Sequence, residues 1–545
     1  MAPDATPQAL FQQAVAAHQA GDLDEAERLY RAVVAVDPKT LAARANLAVV
    51  AFQRGDLAGG IAWLDASLAL EPRQAAVLAN RASARMHLSQ LDAALADCDA
   101  AIKVDPDFAE ALQHKAVIHE RLDQPAAAVA AYDRLLAINL GNAAAAYGRA
   151  GMLHRLGRLD EALASVDRAI EIAPDLAKAW ANRGVFLIQM ERDEEGVASL
   201  ERSTGLDAAD ADAWYNLANG YGRLRRMDEA FAAFDRATGL RPDFASAYWN
   251  KALALLAAGR TAEGWPLYEW RWKNPGFENA HAVSPAPVWQ DQDLAGKTLL
   301  LHFEQGFGDT LLMLRYLPLL RERGARVVLG VQPALAALAA PLVDRLLADG
   351  EPIPPHDLKA FMMSLPLAFG GLVPPQTPYL APPPGTRERW AARLGARTRQ
   401  RIGLVWAGNR GQVNDRNRSL ALERIAPWLE ADADFVSLQK EYRADDLEVL
   451  RAEPRILDVS AELADFGETA GLIANLDLVI AVDTAVVHLA CALGKPVWVL
   501  APYALDFRWG LEGASSPWHP TARVFRQPRS GDWSGVLAEV RAALP

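Results

Sequence analysis

Three short segments gather the residue types that move protons and hold anions. In EQGFGDT (304–310), Gly306 and Gly308 precede Asp309 after an apolar run. Such glycines allow a tight turn with exposed backbone N–H groups, and an aspartate there stands at a helix start facing a cleft. In VDTAVVHLACALGKP (482–496), Asp483 and Thr484 end a second apolar run and begin a helix whose first amides suit a phosphate, while Thr484 and His488 share a helix face. In WAGNRGQVNDRNRSL (406–420), Asn409, Arg410, Arg416 and Arg418 concentrate donors at the end of a third run, a pattern fit for diphosphate or carboxylate. Each segment has a plainer alternative: a helix cap at Asp309, a capped helix with a surface histidine, and a solvated arginine loop.

These segments need a scaffold that presents strand ends side by side. From Thr298 onward short apolar runs alternate with amphipathic stretches, which predicts parallel strands covered by helices. The candidate strands are 298–303, 326–331, 401–406, 434–439, 477–482 and 496–501, and a proline-rich stretch at 373–384 divides them into two halves. Doubly wound halves bind ligands at the carboxyl ends of their strands, where all three segments fall.

The first half of the chain has a different order. Blocks of 34 residues begin at Pro7, Leu41, Ala75, Ala109, Ala143, Ala177, Ala211 and Ala245, and most hold two helical patterns parted by a polar turn such as GDLDEA (21–26), GRLDEA (157–162) or RRMDEA (225–230). Breaks such as Asp37-Pro38 and Asp105-Pro106 end the second helix, and small residues such as Ala26, Ala162 and Ala230 stand where paired helices meet. The pattern resembles the tetratricopeptide repeat over roughly residues 7–278. Its sixth position is asparagine in five blocks, at Asn46, Asn80, Asn182, Asn216 and Asn250, with His114 and Gly148 interrupting the row. A row of amides can donate to and accept from an extended peptide, as in the O-GlcNAc transferases that carry such repeats, or it can simply reflect the repeat consensus. After the last block, Trp265, Tyr268 and Trp272 are spaced to lie on one helix face, where they are expected to seal the array against the following domain, with sugar stacking as the alternative.

Composition narrows the function classes. A net charge of −12 without a basic stripe excludes a nucleic-acid binder of the usual kind, and an apolar fraction of 51% supports several packed cores. Two distant cysteines, Cys98 and Cys491, predict neither a disulfide framework nor a metal pair; the N-terminus MAPDATPQAL shows no export signal, and no run is long enough to span a membrane. A cytoplasmic protein is expected. The triplets DQD (291–293) and DAD (432–434) are expected in turns, not as cation ligands.

The three chemical segments together resemble heptosyltransferase-like glycosyltransferases, of family 9 type, over roughly residues 290–530, and the whole chain resembles bacterial proteins that fuse repeats to such a domain, including flagellin-modifying ones. The resemblance implies an all-α repeat superhelix (1–280) followed by an α/β transferase of GT-B type, built from two Rossmann-like halves (290–390 and 397–545). It implies an inverting, metal-independent transfer from a nucleotide-sugar to Ser or Thr hydroxyls of a protein held by the repeats, with no cofactor. Asp309 would be the general base. Gly306, Gly308, Asn409, Arg416, Arg418, Asp483, Thr484, Ala485 and His488 would line the donor site, with Arg418 where the lipopolysaccharide enzymes generally have lysine and Ala485 where glycine is usual. The asparagine row would take the acceptor, and arrays of this length also support homodimers. The competing classes are a non-catalytic adaptor built on a decayed transferase fold, and a transferase acting on lipid-linked or polysaccharide acceptors.

Overall fold

The structure is a computed structural model, and it describes residues 6–277, 284–348, 350–411, 415–504 and 506–545. Residues 1–5 and 278–280 of the expected repeat domain, and 412–414 of the arginine segment, lie outside the described residues.

The repeat period translates directly into helices. The first helix of each pair starts at Pro7, Leu41, Ala75, Ala109, Ala143, Ala177, Ala211 or Ala245, the eight block starts read from the sequence. Each pair turns on one residue with positive φ: Gly21, Gly55, Ser89, Asp123, Gly157, Glu191, Arg225 and Gly259, spaced by the repeat. Glycine adopts that conformation freely, whereas the four other side chains are held there by the helices on either side at a cost of roughly 1 kcal/mol each. Helix-to-helix approach depends on a second periodic position, occupied by Ala26, Gly60, Ala94, Ala128, Ala162, Gly196, Ala230 and Gly264. A Cβ on Gly60 would stand 2.1 Å from the Phe52 ring, and one on Gly264 would stand 2.7 Å from Leu256, so the larger neighbour fills the space that the small residue leaves.

A third series fixes the stacking of successive pairs. Arg81 meets Asp65 at 2.5 Å, Lys115 meets Asp99 at 2.6 Å, Arg149 meets Asp133 at 2.6 Å and Arg183 meets Asp167 at 2.7 Å, and Lys251 pairs with Asp235 in the same way. Each bond joins the second helix of one pair to the first of the next. Half-exposed pairs of this kind contribute about 0.2–1 kcal/mol each, enough to fix register without dominating stability.

By compactness the chain divides into a first unit ending at Asn216 and a second unit, Leu217–Pro545. The second unit therefore contains the last helices of the array as well as two sheets. The first sheet has β1 (Thr298–His302), β2 (Arg326–Gly330), β3 (Arg345–Leu347) and β4 (Leu358–Phe361) in the order β3-β2-β1-β4. The second has β5 (Gln400–Val405), β6 (Ala433–Ser437), β7 (Ile456–Leu457), β8 (Leu478–Val482), β9 (Val497–Ala501) and β10 (Ala522–Arg526) in the order β10-β9-β8-β5-β6-β7. All pairings are parallel. The strand order reverses beside β1 and again beside β5, and these are the points where a doubly wound sheet opens a ligand crevice. The fold is a tetratricopeptide array followed by an α/β domain, as expected.

Four strands escaped the sequence reading. β3 and β7 have three and two residues, β4 carries the buried Lys359 within its apolar run, and β10 is bracketed by arginines. The aromatic segment also differs. Trp265 and Tyr268 lie on the helix Thr261–Tyr268, but that helix ends there and Trp272 follows on a 3₁₀ turn, Glu269–Lys273. Trp272 is thus off the predicted face and packs its ring 4.4 Å from that of Phe361. Asp434 lies within β6, in keeping with the candidate strand 434–439 and not with the turn expected for its triplet. Cys98 and Cys491 are free and buried.

Candidate active site

β1 delivers the first segment to its place. After His302 the chain turns through Gly306, the N-cap, into the helix Phe307–Met313, so Asp309 stands at the third helical position rather than at the cap. Its Oδ2 reaches back to accept from the Gly306 N–H at 3.2 Å, and its Oδ1 accepts from Nη2 of Arg508. Gly308 packs against the second sheet's helix. A Cβ there would lie 2.7 Å from Cδ2 of His488 and 3.8 Å from the Ala485 Cα, so glycine at 308 lets the two helix starts meet.

β8 delivers the second segment. Thr484 caps the helix Ala485–Ala492, but its hydroxyl makes no capping bond, and Oγ1 is buried without a protein partner. His488 is 3% exposed, not a surface residue. Its Nδ1 lies 2.8 Å from His519 Nε2, its Nε2 lies 3.9 Å from Asp483 Oδ1, and its ring stacks on Trp509. Burial holds both imidazoles well below their ordinary pKa, with Arg508 and Arg315 adding to the effect, so both are neutral. Burial, reinforced by Asp506, raises Asp483 to about 6 against the opposing pull of Arg508 and Arg418.

The third segment divides. Arg418 turns inward, with its side chain 12% exposed, and its Nη1 donates to the Asp483 carbonyl at 2.8 Å. Gly408 makes room for it, since a Cβ at that position would come within 2.5 Å of Arg418 Nη2. Asn409, Arg410 and Arg416 are exposed, and Asn409 accepts from the Gly411 N–H in a local turn. The guanidinium cluster expected from the sequence thus reduces, at the Asp483 loop, to one arginine.

The loop after β9 supplies what the motifs missed. Arg508 joins Asp309 to Asp506, donating to Asp506 Oδ2 from Nη1 at 2.7 Å. Burial works against its charge, but Asp309, Asp506 and Asp483 outweigh burial and raise its pKa. Asp506, Arg508, Trp509 and His519 carry no glycine-rich or threonine signature. Their position past the carboxyl end of β9, the neighbour of β8, which borders the switch point, was the available signal. Among the described residues no group of three or more His, Cys, Asp or Glu side chains is arranged to hold a metal ion.

The last repeats support this site from behind. Tyr268 OH accepts from Gln305 at 2.6 Å, and Arg271 donates to Glu304 at 3.0 Å, both in the loop that ends at Asp309. Arg225, on the turn of the seventh helix pair, donates to the carbonyls of Leu511 at 2.8 Å and Tyr503 at 3.1 Å, and Trp265 meets Phe507 edge-on. Both loops that carry the Asp309–Arg508 pair are therefore gripped by residues of the array.

The asparagines of the row have varied surroundings. Asn46 donates to Tyr30 OH at 3.0 Å, Asn182 hydrogen-bonds Tyr147, and Asn250 donates to Asn219 at 2.9 Å. Asn80 is exposed and Asn216 half-buried.

With this geometry in hand, the chain carries two recognisable parts: tetratricopeptide repeats, matched over residues 11–76, 79–139, 115–177, 187–243 and 215–269, and a glycosyltransferase family 9 (heptosyltransferase) domain, matched over residues 435–528. The second match includes Asp483, Thr484, His488, Arg508 and His519, while Asp309 and Arg418 lie outside it. The chain is 28% identical over 330 residues to protein FlbA of Caulobacter vibrioides, a match covering 54% of this chain and 54% of FlbA, so it spans about half the length of that relative. Among solved structures, YrrB, described as a tetratricopeptide repeat protein with an unusual peptide-binding site, is 22% identical, with 34% of this chain and 97% of that one covered and a TM-score of 0.32. A tetratricopeptide repeat protein from Parabacteroides merdae is 20% identical, with 43% and 93% covered and a TM-score of 0.34. Among the described residues, no helix is long and apolar enough to cross a membrane.

Proposed function

We propose that the protein is an inverting glycosyltransferase that moves a sugar from a nucleotide-sugar to Ser or Thr hydroxyls of a protein acceptor bound by the repeat array, flagellin being the acceptor class implied by the resemblance to repeat-fused, flagellin-modifying transferases. The observation that carries this reading is the meeting of Asp309 with the Asp483–His488 loop across Gly308, two strand-end motifs from separate sheets converging on one spot. In the proposed reaction Asp309 accepts the proton of the acceptor hydroxyl as its oxygen bonds to the anomeric carbon from the face opposite the donor phosphate. The bond from that carbon to the phosphate oxygen breaks, and the leaving phosphate keeps the electron pair. The first amides of the helix Ala485–Ala492, the buried, unpartnered Thr484 hydroxyl and Arg418, which lies on the Asp483 carbonyl, would hold that charge. The same scheme assigns charge neutralisation to arginine and backbone and calls on no metal. Asn80 and Asn216, with the other asparagines of the row, are the proposed acceptor contacts.

The test captures the partner with the full-length protein in its native cytosol and compares intact masses from cells carrying the wild type or Asp309→Ala. Sugar-sized mass increments that appear with the wild type alone support protein glycosylation and give the sugar class. A partner bound equally by both forms and unmodified by either moves the protein to the adaptor reading.

A further inference from the structure

Arg508 occupies the residue that the reaction needs free. Its Nη2 sits on Asp309 Oδ1 while its Nη1 holds Asp506 Oδ2 at 2.7 Å, and Nε is buried without a partner. The two ends of this fork differ in kind. Asp506 belongs to the arginine's own loop, where its Oδ1 also accepts from the Arg508 N–H at 2.8 Å, and the Phe507 ring lies beneath the guanidinium at 4.5 Å. Asp309 belongs to the other half of the domain, on the helix that follows β1. The stem and one end of the fork are thus fixed to the loop, and the other end reaches across to the carboxylate.

We propose that Arg508 is a latch: the phosphate of an arriving nucleotide draws Nη2 from Asp309, so that the base is released when the donor is in place and Arg508 then faces the departing phosphate. This rests on the glycosyltransferase reading above. The exchange is one of partners, with no bond made or broken: the Asp309–Arg508 pair gives way to a phosphate–Arg508 pair, and Asp309 becomes an open proton acceptor. A phosphate competes well for a guanidinium because it offers more charge and matches the same fork. The surroundings favour arrival of an anion at this guanidinium. A Cβ on Gly308 would lie 3.8 Å from the Ala485 Cα, at the start of the second sheet's helix, where the Thr484 hydroxyl is buried and unpartnered, and Arg418 is held on the Asp483 carbonyl. Asp483, beside both arginines, is raised to about 6 by burial and then by Asp506, and can take up a proton when further negative charge enters.

The latch makes an unusual pair of predictions for binding. The full-length protein is titrated with UDP, GDP, ADP, CMP and inorganic pyrophosphate, and the nucleotide bound by the wild type is then titrated into Arg508→Ala, Arg508→Lys and Asp309→Asn. Removing the guanidinium should weaken binding at least about tenfold, the worth of one charge-assisted contact. Neutralising Asp309 should tighten it severalfold, because the arginine is no longer held, and a residue that only orients the base would give no such gain. Circular dichroism confirms that each variant is folded, and Asp309→Asn, which keeps the shape of the side chain, tests the latch even where Arg508→Ala does not fold. Nucleotide binding that is unchanged in the folded Arg508 variants, or weakened by Asp309→Asn, overturns the latch and leaves the transferase reading standing. No binding of any nucleotide by the wild type overturns both.

Discussion

Arg271 and Glu304 form an ion pair, 3.0 Å apart, in which the arginine side chain is fully buried and the glutamate 4% exposed. Arg271 follows the last repeat helix and Glu304 follows β1, five residues before Asp309, so the pair links the array to the loop of the candidate base. Burial nonetheless raises Glu304 to about 7, against the pull of Arg271 and the Met363 N–H, since one oxygen accepts both bonds and Oε2 has no partner.

A carboxyl whose pKa is higher folded than unfolded binds its proton more tightly in the native state. Its contribution to stability is complete below the unfolded pKa, near 4.5, and is lost as pH rises through about 7. Glu304→Gln, which keeps the shape and cannot ionise, should therefore gain on the wild type by on the order of 2 kcal/mol between pH 5 and pH 8. Denaturation curves of both proteins at the two pH values provide the check. A stability difference that does not change with pH would mean that Glu304 is ionised throughout.

The same contacts define the smallest fragment that should hold the α/β domain folded. A fragment beginning at residue 208, just before the helix Ala211–Arg223, keeps Arg225, Trp265, Tyr268 and Arg271 and should fold cooperatively. One beginning at residue 290 should not, since it leaves Glu304 without its cation and strips the ring of Trp265, 1% exposed in the full chain, from Phe507 and Trp518. Near-ultraviolet circular dichroism distinguishes them. Native tertiary signal in the shorter fragment would show that the array ends are not part of the core of the α/β domain.

Sequence periodicity reached the helices before the structure did because each 34-residue block repeats one turn residue and one small residue, and every pair must satisfy the same geometry. Strand ends were legible for a similar reason: Asp309 and Asp483 follow uninterrupted apolar runs. What escaped was contact across the chain. Nothing in DFRWG (506–510) announces that Arg508 turns to a helix 199 residues away, and its aromatic neighbours read as core. The plainer alternative for His488, a surface histidine, fails because Trp509 and His519, from the loop after β9, bury the ring, and neither neighbour is near it in sequence. Arg416 and Arg418 are two residues apart on a four-residue helix, and only the backbone direction there decides that one faces Asp483 and the other solvent.

Gly308 offers the sharpest steric test of the site. The residue lies inside the helix Phe307–Met313 with no positive φ, so on backbone grounds alone alanine would be preferred there by up to about 1 kcal/mol. The wild-type neighbourhood reverses that sign, because the new methyl would meet Cδ2 of His488 at 2.7 Å, and the ring is fixed by His519 at 2.8 Å and by the stacked Trp509. Gly308→Ala should cost about 1–3 kcal/mol and reduce activity, because either the ring or the Asp309 helix must give way. In a His488→Ala background the obstruction is gone, and the same substitution should be neutral or stabilising, a change of sign that a double-mutant cycle measures directly. An equal cost in both backgrounds would place the clash elsewhere and separate Gly308 from the packing that brings Asp309 to the Asp483 loop.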